Sequence, residues 1–312
     1  AIPDGTKLII LGDMGQLESI GCMNLAFDMY NSDFITTIEL TKVHRQAQKS
    51  GIIVASQQMR NGEPVLEKKF IGEKTVGELQ DMHFDIDDTS STTRERTMKW
   101  FKEKYESDLV NDIMDIQILS PCKDRGDASV FNLNIDVQNY VNPHSEDKHE
   151  IKVNVGKDKS YYLREGDKVM CIKNNYKICG EKRIGVFNGW CGILKEIDTW
   201  LGLHKVYIPM IDDTMIFSTS DLINGVVLGY ASTVHKYQGS SAKVVIGAFD
   251  NTTPPNMRTK ELLYTLWTRA EKDCTTVAQN SALYSAALNS GISDKNTFLV
   301  ELLDETPDNE VA

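Results

Sequence analysis

The sequence predicts an α/β protein, a parallel-sheet domain interrupted by a small all-β insertion. Two near-continuous apolar runs, Asp115 to Pro121 and Lys243 to Phe249, have the composition of buried parallel strands. Helical spacing alternates with such runs. Between about Ile151 and Leu228 the pattern changes to short strands separated by turn residues.

In chain order, Lys7-Leu8-Ile9-Ile10-Leu11 is a short apolar run ended by Gly12-Asp13, which predicts a buried strand opening into a loop at its carboxyl end, where sites in open α/β sheets lie. Only Ala1 to Thr6 precede it, and a domain whose first element is a central strand reads as cut rather than complete. From Ile38 to Gly62 the spacing is helical, with Ile52, Ile53, Ala55 and Met59 apolar and Gly62 at the stop position. Asp81 to Tyr105 is polar, with Thr97, Trp100, Phe101 and Tyr105 spaced for one helical face. After the strand at 115–121, Val130 to Val141 reads as a helix closed by Asn142-Pro143. Strands at Lys168 to Ile172, Gly192 to Ile197 and Lys205 to Ile208, with Gly166-Asp167 and Asn188-Gly189 as turns, make the insertion most simply a barrel. The α/β pattern resumes at Ala231, and Asp304 to Ala312 is an acidic, frayed end.

Composition bounds the partners. The 312 residues are 41% hydrophobic and 25% charged, ordinary for a globular protein of two domains. A net charge of -11 excludes a general polyanion-binding surface, so any nucleic-acid contact is a local groove. The six cysteines form no C-x-x-C pair, which argues against a metal site or a disulfide framework. No apolar run of ~18 residues and no leader pattern appear, which makes a soluble cytoplasmic protein the expectation.

Five segments carry the chemistry: Gly12 to Leu17, Leu40 to Ala47, Ile118 to Pro121, Thr233 to Gly239, and Leu263 to Ala270. In this order they resemble motifs of the superfamily 1 helicases of the RecD-like type, related to the alpha subunit of exodeoxyribonuclease V, over nearly the whole chain. No G-x-x-x-x-G-K-[ST] phosphate loop occurs in the sequence. The resemblance implies two RecA-like domains clamping ATP between them. Residues 1–30 would be the end of the first, 31–147 with 229–312 the second, and 148–228 an inserted SH3-like barrel. ATP and Mg2+ would be the cofactors, with the metal ligands outside this chain. The partners would be single-stranded DNA and the remaining RecA-like domain of the same protein, a monomer with no membrane partner.

By the same resemblance, Gly12, Asp13, Gln16, Arg45, Gly239, Ser241 and Arg269 would surround the nucleotide, with Gln16, Arg45 and Arg269 catalytic. Arginine suits this task because its guanidinium is permanently charged and presents a planar donor fork to phosphate oxygens. Gln16 can donate to a γ-phosphate oxygen and accept from an attacking water. A lone arginine is more often a solvated surface charge. Ser120, Thr233, His235 and Lys236 would hold the DNA backbone. In the insertion Tyr161, Tyr162, Tyr176, Phe187 and Trp190 read mostly as barrel core, with Trp190 after the Asn188-Gly189 turn the best exposed stacking candidate. The chain departs from the family at Ser240-Ser241, where members often carry Ser-Glu with the glutamate reaching the ribose; the shorter side chain implies a weaker or water-mediated sugar contact. The implied activity is 5′ to 3′ translocation on single-stranded DNA driven by ATP. Two alternatives stand beside it: a non-hydrolytic single-stranded DNA-binding module, and the helicase half of a conjugative relaxase.

Overall fold

The computed structural model describes residues 3, 5–18, 25–32, 35–40, 47–156 and 158–291, without the side chains of 25, 26 and 47. Arg45 and the acidic tail at 304–312 lie outside these residues. In chain order the elements are α1 (Leu25–Asn31), α2 (Gly51–Arg60), β1 (Gly72–Val76), β2 (Met82–Asp87), α3 (Thr93–Tyr105), β3 (Ile116–Ser120), α4 (Val130–Val141), β4 (Glu150–Val155) and β5 (Lys159–Arg164). There follow β6 (Lys168–Cys171), β7 (Cys191–Asp198), β8 (Leu203–Ile208), β9 (Asp213–Ser218), α5 (Thr219–Gly225), β10 (Val226–Leu228), β11 (Ala231–Thr233), β12 (Ala242–Phe249), α6 (Lys260–Trp267), β13 (Ala270–Gln279) and α7 (Asn280–Leu288).

The α/β body is a six-stranded sheet in the order β1-β2-β13-β12-β3-β11, parallel from β2 to β11, with β1 antiparallel at one edge. β12 is buried along its whole length apart from Lys243, as its Val/Ile-rich sequence requires of a strand covered on both faces. Helix α2 starts where Ser50 accepts from the amide of Ile53, and it ends before Gly62, whose φ of 79° suits only glycine. Ile52, Ala55 and Met59 face the core from it.

The insertion is a five-stranded antiparallel sheet, β10-β6-β7-β8-β9, accompanied by the hairpin β4–β5. Val169, Leu194, Val206, Met215 and Phe217 fill its interior, in one hydrophobic cluster with Ile116, Ile118 and Val244 of the body. The two units therefore share a core. At their junction the buried Asp167 carboxylate accepts from the Arg164 amide, Gln138, Asn142 and Tyr230, which ties α4 and the approach to β11 onto the barrel. Among the described residues no ion pair balances this carboxylate, and burial raises its pKa above the ordinary value while the hydrogen bonds oppose the shift.

Three expectations fail. Residues 7–11 are not a buried strand: Leu8, Ile9, Ile10 and Leu11 are 66%, 80%, 50% and 92% exposed. A strand apolar on both faces needs a ladder neighbour and covering helices, and among the described residues it has neither. Among the described residues the helical spacing read from Ile38 is α-helix only from Gly51, with 38–40 in no regular element, and the polar stretch after Asp81 opens with β2, whose Met82, Phe84 and Ile86 are buried, before the expected helical face forms in α3. Asp85 of β2 is buried too, accepting from Arg96 and from the indole of Trp100, so a carboxylate sits inside a strand that reads as surface.

Candidate functional site: an arginine pocket and a strand-end groove

The segment 234–241 runs from the carboxyl end of β11 back to the amino end of β12, because Thr233 pairs with Ser120 while Ala242 pairs with Ala270. Candidate residues consequently fall into two groups at opposite ends of the sheet. Arg269, Ser241 and Gln16 gather at the amino ends of β12 and β13, contrary to the usual placement of ligands at carboxyl ends. Thr233, His235 and Lys236 gather at the carboxyl end of β11.

In the first group Arg269 closes α6 and opens β13. It is 9% exposed, and its Nη2 donates to Gln16 Oε1 at 2.9 Å. Its Nε donates to the Thr265 carbonyl at 3.2 Å and Nη1 to the Ser240 carbonyl at 3.4 Å. All three acceptors are neutral, and among the described residues no carboxylate oxygen lies within the 4.0 Å of an ion pair. Burial lowers the Arg269 pKa, with Asp13 opposing from farther away. The loop carrying Gln16 is shaped by Asp13, whose carboxylate accepts from the Gly15 amide at 2.9 Å, from Gln16 Nε2 at 3.2 Å and from Tyr264 hydroxyl at 2.8 Å. Burial first, then this bond to Asp13, pushes the Tyr264 pKa up to about 12. The Leu17 amide donates to Thr265 and the Gln238 side chain to the Leu17 carbonyl, so the 12–17 loop is pinned to α6 and to the 234–241 segment.

Of the other nucleotide candidates, Gly12 is exposed and Gly239 is exposed at φ 82° with open space where a side chain would be. Ser241 donates its hydroxyl to the Glu271 carboxylate, so a carboxylate does stand beside position 241, supplied by β13.

In the second group Thr233 Oγ1 accepts from the Lys236 amide at 3.3 Å, which starts the turn. His235 is half-buried, its ring has no hydrogen-bond partner among the described residues, and burial lowers its pKa, keeping it neutral near pH 7. Lys236 is exposed; crowding by surrounding protein and then the neighbouring Lys123 cation lower its pKa. The strand-end groove thus carries two neighbouring cations, Lys236 and Lys123. Lys123 carries no sequence signal of its own and was missed, as was Tyr264, although it lies inside the Leu263 to Ala270 segment.

Ser120 requires correction: it is 2% exposed and donates its hydroxyl to the Ala128 carbonyl at 2.9 Å, so it shapes the loop after β3 and does not face a ligand. Trp190 is also corrected. It is half-buried against Phe187, ring centroids 4.9 Å apart, whereas Tyr176 is 72% exposed and Trp200, in the β7–β8 turn, 89%. Tyr161 is core.

Comparison with known proteins adds three family matches: the SH3 domain of ATP-dependent RecD-like DNA helicases at residues 133–207, the UvrD-like helicase C-terminal domain at 228–277, and an AAA domain at 1–81. An ATP-dependent RecD2 DNA helicase of Deinococcus radiodurans is 27% identical over 303 residues, 96% of this chain and 36% of that protein. An uncharacterized protein of Methanocaldococcus jannaschii is 24% identical over 85% of this chain and 26% of its own length. The chain thus spans about a third or less of these relatives. Among solved structures, a Bacteroides Pif1 bound to single-stranded DNA is similar at a TM-score of 0.48 and 16% identity, covering 88% of this chain and 62% of that one. No helix among the described residues is long and apolar enough to cross a membrane.

Proposed function

We propose that this chain, which resembles the RecD-like superfamily 1 helicases along nearly its whole length, is the C-terminal portion of an ATP-dependent DNA helicase moving 5′ to 3′ on single-stranded DNA. The observation that carries the reading is Arg269: a buried guanidinium whose acceptors among the described residues are all neutral. Burying a cation without a counter-charge is costly, so such a group fits a site completed by an anion. A triphosphate supplies that anion, and the planar fork matches its oxygens. Gln16, in contact with Arg269, reports on the same group through its amide.

In this reading residues 1–30 close a first RecA-like domain, 31–147 with 229–312 form the second, and 148–228 is the SH3-like insertion. ATP with Mg2+ is the proposed cofactor, held by a phosphate loop and acidic pair of the other RecA-like domain. The chain's own contribution is charge: Arg269, with Arg45, neutralises negative charge developing on the transferred phosphoryl group. Gln16 orients the attacking water. The 234–241 segment then links the two ends of the sheet, since Gln238 touches the Gln16 loop while Thr233, His235 and Lys236 hold the DNA backbone. Cytoplasmic location and a monomeric state complete the proposal. The test is ATP hydrolysis by the protein that carries this chain, with and without single-stranded DNA. Stimulation by DNA is expected; turnover indifferent to DNA, or none, sinks the reading.

A further inference from the structure

Arg269 and Glu271 stand on either side of one dipeptide. The Arg269 guanidinium donates through Nη1 to the Ser240 carbonyl at 3.4 Å, and the Glu271 carboxylate accepts from the hydroxyl of Ser241, the next residue. Consecutive Cα atoms are ~3.8 Å apart, so a cation and an anion share one small surface at the amino ends of β12 and β13. They do not neutralise each other, because among the described residues Glu271 is in no ion pair. Tyr237 lies against both. Its phenol donates to the Ser241 carbonyl at 2.9 Å; burial, then the neighbouring Cys191 and Glu271, push its pKa up, and Arg269 opposes them.

The backbone aims Glu271 away from the ladder. Ala242 pairs with Ala270 and Val244 with Asp273, so Glu271 and Lys272 together stand opposite Lys243, a bulge in β13. Such an extra residue bends the strand and re-aims a side chain, which is why bulges recur beside sites. Glu271 is exposed and only its Oε1 is engaged, by Ser241; Oε2 has no partner among the described residues. Gly239, exposed at φ 82°, adds no side chain to occupy the surface.

An ionised carboxylate can only accept hydrogen bonds. Beside a guanidinium that takes a polyphosphate it repels the phosphate oxygens, so it suits an uncharged donor elsewhere on the same ligand. A ribose presents two such donors, its adjacent 2′ and 3′ hydroxyls, and a carboxylate has lone pairs for both.

We propose that Glu271, held in place by Ser241, accepts from the ribose hydroxyls of the nucleoside triphosphate whose phosphates Arg269 contacts, and makes the site selective for ribonucleotides. The assignment rests on the nucleotide reading of Arg269, and the experiment separates the two. Hydrolysis of ATP and of 2′,3′-dideoxy-ATP is measured, with single-stranded DNA present, in the protein that carries this chain together with its phosphate loop. The wild type is expected to show a kcat/KM for ATP about 10- to 100-fold above that for the dideoxy analogue, the range of a hydrogen bond to a charged group. Glu271→Ala is expected to erase this difference by lowering the value for ATP alone. Ser241→Ala, which releases the carboxylate to swing, is expected to narrow it in the same way. Equal wild-type values for the two nucleotides, or a Glu271→Ala variant that loses both alike, overturns the ribose contact and leaves the Arg269 site standing. A wild type that hydrolyses neither overturns both. A preference for ATP over inosine triphosphate that Glu271→Ala removes assigns the carboxylate to the adenine amine and overturns the ribose assignment.

Discussion

Arg269 Nη2 and Gln16 Oε1 meet at 2.9 Å across 253 residues of sequence. The contact joins the loop after the apolar run at 7–11 to the end of α6, and among the described residues no carboxylate is in ion-pair contact with the guanidinium.

From this relationship we expect Arg269→Ala, in the protein with its phosphate-loop domain, to lower ATP turnover by about 10³-fold or more, the magnitude of an arginine finger. Arg269→Lys does not restore it, since a point charge lacks the planar fork that reaches Gln16 and the phosphate together. Steady-state ATPase assays decide, and a loss under about tenfold means that Arg269 only braces α6.

The 312-residue chain by itself is expected to hydrolyse ATP negligibly, because a group that stabilises the γ-phosphate needs a cradle to hold it, and the sequence contains no phosphate loop. Measured DNA-stimulated turnover by purified chain removes the assignment of the cradle to another domain.

Thr233→Val and His235→Ala are expected to weaken single-strand binding while sparing nucleotide affinity in the absence of DNA. Lys236→Ala acts differently: as a phosphate contact it lowers the slope of log affinity against log salt by about 0.7. Fluorescence anisotropy over a salt series measures both effects. An unchanged slope for Lys236→Ala places the DNA elsewhere.

How much of this was legible in the sequence follows the physics of each element. The strands at 116–120 and 242–249 and the helix at 130–141 are visible because burial on both faces, or on one stripe, leaves a strong periodic signal. The β1–β2 hairpin is not, because Asp85 is compensated by Arg96 and Trp100, partners distant enough in sequence to hide the burial. The run at 7–11 misleads in the opposite direction: its apolar pattern predicts a buried strand, whereas the four apolar side chains at 8–11 are exposed and no strand forms there. In the site, Gln16 and Arg269 were identified separately from their segments, but their contact, and the role of Tyr264 in holding Asp13, depend on three-dimensional closure that no local spacing encodes. Ser120 failed for a related reason. A hydroxyl at a strand end can serve a ligand or its own loop, and only the position of the Ala128 carbonyl decides.

Lys168 gives the prediction for pH. It is 1% exposed on β6, and its ammonium donates to the carbonyls of Ile116 at 2.8 Å and Ile113 at 3.1 Å, fastening the barrel to the start of β3. Burial lowers its pKa from 10.5 to about 8, with Cys191, Asp112 and Asp115 opposing weakly. Below about pH 8 both the folded and unfolded chains carry the charge, and the full burial penalty is present. Between about 8 and 10.5 the unfolded chain still holds the proton that the folded chain has released, so this group's contribution to stability rises with pH across that window. The gain is on the order of 3 kcal/mol. Lys168→Met abolishes it, and in a Cys191→Ser background, which removes the thiol coupled to this ammonium, the other titrating groups are common to both proteins and cancel in the difference. Urea unfolding at several pH values in this window is the measurement. A wild-type minus Lys168→Met stability difference that stays flat, or falls, as pH rises shows that Lys168 is solvated enough to keep its ordinary pKa, and the fastening of barrel to sheet then rests on the shared apolar core and the Asp167 hydrogen bonds.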